Sequence, residues 1–316
     1  MTRTWAMAAT AALAVLACAR SSGDSRSEGV GAPSALPVGR GAELPVGSFD
    51  RGRGVRIVCV GGAVCETVFA LGAGDQVVAV DTSTGYWAGA AGLPRVGYQR
   101  ALSAEPILAL GPDLVIAAAE AGPAVALEQL RAAGVRVAVM PEARSPESAA
   151  ERIRQVAAAL GKDAEGRALA GGVVETSRAA AARRAGRRVR VAFVYARGSG
   201  TVMVAGRDTP AGAMLALAGA DNAVDGYQGY KPLSAEALVA AAPDAILVPA
   251  RGLASLGGAA GLLAQPGVAD TPAGRTGRIV AMDDLLLLGF GPRLGEAIDE
   301  LAGRLAEARD ARADAP

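Results

Sequence analysis

The short element Gly97-Tyr98-Gln99-Arg100 carries the most specific chemistry in this sequence. Read as extended chain, Tyr98 and Arg100 lie two apart and face the same side. A free tyrosine has a pKa of roughly 10 and is neutral at pH 7. A ferric centre and a neighbouring guanidinium both favour the phenolate. Phenolate is an established axial ligand of haem iron. The 316 residues include no histidine, so tyrosine is the natural iron-ligand candidate, ahead of methionine or cysteine. The same absence excludes a Ser-His-Asp triad, a Cys-His pair, a His-ligated zinc and a His-ligated haem.

Four further aromatics accompany Tyr98. Tyr86, Trp87, Tyr227 and Tyr230 occupy the same two loop windows, so five of the eleven aromatic residues fall there. An aromatic-lined cleft suits a flat apolar ligand; the plainer alternative is aromatics that close the cores beneath their loops. Arg100, Arg207, Lys231 and Arg293 are candidates to pair with ligand carboxylates, or else solvated surface charges.

Both windows precede copies of one unit. Leu102-Ser103-Ala104-Glu105 opens a segment ending Gly111-Pro112-Asp113-Leu114-Val115-Ile116. Leu233-Ser234-Ala235-Glu236 opens another, 131 residues later, ending Ala242-Pro243-Asp244-Ala245-Ile246-Leu247. In each, serine caps a helix, Pro-Asp breaks it, and an apolar strand follows. A weaker echo links Leu71-Gly72-Ala73-Gly74-Asp75 with Leu217-Ala218-Gly219-Ala220-Asp221. Strands are expected near 55–60, 76–80, 114–118, 135–140, 189–195, 245–248 and 278–282, alternating with helices. Between 146 and 184 the composition is helical with few breakers, which predicts at least one long helix. The predicted fold is α/β: two Rossmann-like lobes with mostly parallel sheets, joined by a long connecting helix. The expected boundaries are an N-terminal lobe over 54–160, a connecting helix region over 161–186, a C-terminal lobe over 187–310 and a tail over 311–316. In such lobes ligands sit beyond the carboxyl ends of the strands, so the two sets of loops would line a shared cleft.

The chain begins with an export signature. Arg3 precedes an apolar run too short to span a bilayer, and Val15-Leu16-Ala17-Cys18 reads as a lipobox. Residues 1–18 are then a lipoprotein signal, Cys18 the lipidated residue and 19–53 a Gly/Ser/Pro-rich tether. This places the folded part outside the cytoplasm, periplasmic or extracytoplasmic, at a membrane surface. A net charge of +1 gives no reason to expect nucleic acid. Cys59 and Cys65 can either pair or remain small buried residues.

These segments together resemble the haem-binding component of bacterial ABC haem importers. That component belongs to the helical-backbone class of substrate-binding proteins, which also serves cobalamin and siderophores. The resemblance covers roughly Arg56 to Ala308 and rests on three elements: Gly97-Tyr98 with Arg100, Gly206-Arg207-Asp208-Thr209, and Gly289-Phe290-Gly291-Pro292-Arg293. It implies a monomeric carrier that takes haem between its lobes, moves little on binding, and delivers to a permease dimer. It implies Tyr98 as the axial iron ligand with Arg100 beside it. Tyr86, Trp87, Arg207, Tyr230, Lys231 and Arg293 are the further haem-contacting candidates. It also implies that Glu66 docks onto the permease; the matching C-lobe acid, expected near Ala213, is missing. The alternatives are the same fold carrying a ferric siderophore or corrinoid and, more remotely, an exported α/β enzyme. The enzyme would need a phosphate-binding G-x-G-x-x-G after a strand, and Gly61-Gly62 lacks that spacing.

Overall fold

The computed structural model describes residues 54–84, 87–183, 188–196 and 202–310. Cys18, the tether and Tyr86 lie outside the described residues. Among the described residues, no helix is long and apolar enough to cross a membrane.

The first half runs β1 (Ile57–Val60), α1 (Gly62–Ala70), β2 (Val77–Val80), α2 (Ala104–Leu108), β3 (Leu114–Ala118), α3 (Ala124–Ala132) and β4 (Arg136–Met140). The strands form one parallel sheet in the order β2-β1-β3-β4. Its central strands are apolar on both faces, as a sheet covered by helices on both sides requires. One face packs Ile57, Cys59, Leu114 and Ile116 against α1, the other Val58, Val60, Val115 and Ala117 against α2 and α3.

Two helices follow, α4 (Pro146–Leu160) and α5 (Asp163–Ala182). The predicted connector is therefore a helix pair. Gly161, left-handed at φ 68°, ends α4, which a residue without Cβ does at little cost. Gly171 and Gly172 do not interrupt α5. Each costs a helix interior about 1 kcal/mol, and the packing of α5 against α4 and α12 (Leu294–Asp310) holds it through them. Ile153 of α4 belongs to the C-terminal core, Val156 and Ala157 to the N-terminal one, so α4 is shared between the lobes.

The second half runs β5 (Arg190–Tyr195), β6 (Met203–Ala205), α6 (Pro210–Leu217), β7 (Asp221–Asn222), β8 (Tyr230–Pro232) and α7 (Ala235–Ala241). It continues with β9 (Ala245–Pro249), α8 (Ala250–Ser255), α9 (Gly258–Leu263), α10 (Pro272–Arg275), β10 (Ile279–Met282), α11 (Asp284–Leu288) and finally α12. Parallel pairing gives β7-β5-β9-β10, the order of the first sheet again. The difference is an antiparallel ribbon, β6 and β8, on the free upper half of β5.

The repeat has a physical core. Asp113 and Asp244, from the two Pro-Asp pairs, each accept the backbone N–H of an arginine opening the central strand. The distances are 2.8 Å from Arg56 and 3.1 Å from Arg190. Each arginine reaches back to the end of the preceding helix, Arg56 to Leu110 O at 2.7 Å and Arg190 to Ala241 O at 2.9 Å. The echo is structural too, with Gly72 and Gly219 both left-handed just after α1 and α6. The expected serine caps differ: Ser234 Oγ accepts Ala237 N–H at 3.3 Å, whereas Ser103 holds the cap position without a side-chain bond.

Candidate functional site

A cleft of about 350 Å³ opens between the lobes. Gly61 follows β1, Ala118 ends β3 and Glu142 follows β4; from the other lobe come Tyr195 at the end of β5, Arg251 after β9 and Asp284 after β10. Every strand end is a carboxyl end, as the open α/β architecture demands.

Tyr98 lines this cleft. The segment holding it is a turn rather than extended chain. Tyr98 O accepts Ala101 N–H at 2.8 Å, and Gly97, at φ 103°, accepts Thr82 N–H through its carbonyl at 2.8 Å. Gln99 O accepts Gly122 N–H at 2.8 Å, which fixes the turn over the loop after β3. Strand alternation therefore does not aim Arg100 with Tyr98; Arg100 is exposed. Gln99 lies over Gly61, where a Cβ would come within 3.1 Å of its Oε1 and 2.6 Å of Ala118 Cβ.

The other predicted contacts are placed differently. Trp87 packs edge-on against Phe69, ring centroids 5.1 Å apart, at the rim of the N-terminal core. Tyr230 stands 6.2 Å from Tyr195 and 6.3 Å from Phe193. Partial desolvation pushes its hydroxyl up to about 12, so it is a neutral phenol beside the cleft-lining Tyr195, with more than a third of the residue exposed. Lys231 sits 4.7 Å over the Tyr227 ring, a cation–π contact, and Tyr227 is tied to Val204 O at 2.9 Å. Arg207 is exposed, while its backbone pairs with Tyr227 and Gly229. Among the described residues, Tyr98 is thus the predicted haem contact that lines the cleft.

Glu66 and Arg293 meet each other. The Arg293 guanidinium donates to Glu66 across the lobes, with Glu296 3.7 Å away on its other side. Glu66 is 6% exposed, and burial raises its pKa against the pull of Arg293. Arg293, a third exposed, is driven the way the pair dictates, further toward the charged form. The Gly-Phe-Gly-Pro-Arg element is the brace that makes this possible. A Cβ on Gly291 would lie 2.8 Å from Glu66 Oε2, and one on Gly289 3.3 Å from Ala63 Cβ. Phe290 is fully buried at φ 51°. From α4, Arg152 Nη2 donates to Gly289 O and Phe290 O, both at 2.7 Å. At the rim, Arg144 Nη1 donates to Asp208 O at 2.9 Å while its fork holds Glu142.

Sequence reasoning missed Gln99, Glu120, Glu142, Tyr195, Arg251 and Arg152, all of which line the cleft. Most stand within three residues of a strand's carboxyl end, a rule that would have found them. Arg152 had a subtler signal: with Ala149, Ile153 and Val156 it falls on the apolar stripe of α4. Cys59 and Cys65 are buried thiols, and burial raises the Cys65 pKa well above its usual value. No cluster of three Cys, Asp or Glu side chains forms a metal cage among the described residues.

The family profile described as periplasmic binding protein matches residues 57–286. Among solved structures, the chain is similar to the periplasmic heme-binding protein RhuT from Roseiflexus sp. RS-1 in apo form. It is 47% identical, at a TM-score of 0.78, over 81% of this chain and 99% of that one. It is also similar to a periplasmic heme-binding protein from Pseudomonas aeruginosa, 36% identical at a TM-score of 0.72, over 78% and 91% of the two chains. Among curated proteins it is 28% identical over 242 residues to the uncharacterized ABC transporter substrate-binding lipoprotein YvrC of Bacillus subtilis, 75% of each chain.

Proposed function

This chain belongs to the periplasmic binding protein family, and we propose that it captures haem between its lobes and delivers it to the permease dimer of an ABC importer. It acts as a monomeric carrier rather than a catalyst, held by a lipid on Cys18 at an extracytoplasmic membrane face. The observation that carries the reading is Tyr98, on a braced turn at the mouth of a two-lobed cleft, in a chain without histidine. Its phenolate supplies the axial bond to ferric iron. Tyr195 offers a second aromatic wall from the opposite lobe, with Tyr230 in ring contact beside it. Glu66 serves the permease by exchanging Arg293 for an arginine of the partner, since in the carrier alone its carboxylate is already held.

A visible absorbance titration of the purified protein with ferric haem tests this. The expected result is a saturable high-spin spectrum that Tyr98→Phe abolishes, with weaker binding. A saturable spectrum identical in Tyr98→Phe removes Tyr98 as ligand. No saturable change shifts the cargo to a corrinoid or ferric siderophore.

A further inference from the structure

Arg152 is a buried cation without a carboxylate of its own. It is 7% exposed, and desolvation lowers its pKa to about 10, leaving it charged at neutral pH. Its hydrogen bonds run through Nη2 alone, to two backbone carbonyls, and its Nε has no partner. Burying a guanidinium this way is costly unless an anion compensates it. The acids around it are Glu66, Glu120 and Glu142. Glu66 is taken by Arg293 and Glu142 by Arg144; Glu120, the acid acting most strongly on Arg152, stands on the cleft wall and forms no ion pair among the described residues. On the far wall Arg251 is committed to Asp284 at 3.1 Å.

The second observation is α1. Its first turn, Gly62, Ala63 and Val64, lines the same cleft as Arg152. No side chain caps this nine-residue helix. Asp81, which is fully buried, accepts the N–H of Gly61 at 2.9 Å, the N–H of Ser83 at 2.8 Å and the Thr84 hydroxyl at 2.6 Å, and so spends its oxygens beside the helix start rather than on the N–H groups of Gly62, Ala63 and Val64. The first-turn N–H groups of a helix have no intrahelical acceptor, and they favour an anion.

We propose that Arg152 and the uncapped first turn of α1 form an anion subsite in the cleft floor that receives a carboxylate of the cargo. This rests on the haem reading, and it assigns to the site one of the two propionates of the porphyrin. Tyr98 then holds the metal, and the floor holds the acid edge of the ring.

Metal-free protoporphyrin IX and its dimethyl ester, titrated by fluorescence into the purified full chain, isolate the carboxylate from the iron. The wild type is expected to favour the diacid by roughly tenfold, the usual worth of a charge-assisted hydrogen-bonded pair. Arg152→Met is expected to bring that ratio to about one, and the wild-type ratio in a folded Arg152→Met overturns the subsite. Because Arg152 also braces Gly289 and Phe290, Arg152→Lys is measured beside it. Lysine keeps the charge but loses the planar fork, so the ratio should fall severalfold; an undiminished ratio there counts equally against the proposal. A wild type that binds ferric haem with no preference for the diacid defeats the subsite and leaves the haem reading standing. A wild type that binds neither haem nor porphyrin defeats the haem reading, and the subsite with it.

Discussion

Glu66 and Arg293 lie 227 positions apart in sequence, and nothing in either neighbourhood reveals that they are partners. Arg293 therefore reads as a ligand-facing cation and Glu66 as a free docking acid, while the fold joins them. That Tyr98 lines the cleft was legible from its place after Gly97 in a loop that leads into the repeated unit; the turn that holds it was not. Arg152 was not, because a charge on an apolar stripe acquires meaning only from what faces it. The pair also makes a pH prediction. Burial raises the folded-state pKa of Glu66, so the native state holds its proton to higher pH than the unfolded chain. The ionised carboxylate then lowers stability as pH rises from the unfolded pKa, about 4.3, through the raised value. Glu66→Gln escapes that loss. Its melting temperature relative to wild type should climb between pH 4 and pH 7 and then level off; a difference flat across this range would contradict the assignment. In a vesicle transport assay the same variant should slow haem transfer to the permease.

At the scale of elements, the parallel strands were readable as Val- and Ile-rich runs bounded by Gly, Pro and Asp. Strands β6, β7 and β8 were not, since two or three residues carry no periodicity. The long helix expected between 146 and 184 is present as a pair: Gly161 ends α4 while Gly171 and Gly172 lie inside α5, a difference set by packing rather than residue type. The repeated Pro-Asp unit gives the sharpest element-level test. Asp113→Ala and Asp244→Ala each remove a carboxylate that accepts a backbone N–H of the central strand. Each should cost about 1–3 kcal/mol in a urea or thermal unfolding titration. Because the two clasps lie in separate sheets, the double variant should cost the sum to within about 0.5 kcal/mol. A marked departure from additivity would mean that the lobes share the clasp energetically.

For the whole molecule, two lobes and a shared cleft followed from the 131-residue recurrence. The way the lobes are fastened did not, because every fastening joins residues far apart in sequence. The export reading belongs to this scale too. Cys18→Ser should move the protein from the membrane fraction to the soluble exported fraction; unchanged membrane association would remove the lipid anchor. The brace behind the cleft has a mechanical side. Glu66 lies one turn along α1 from Ala63, a floor residue, and Arg293 ends the loop whose carbonyls hold Arg152, another floor residue. Any change that parted Glu66 from Arg293 would therefore bear on two residues of the cleft floor at once. On the haem reading, a partner at this brace would reach the cargo's seat from beneath, without touching the ligand of the iron.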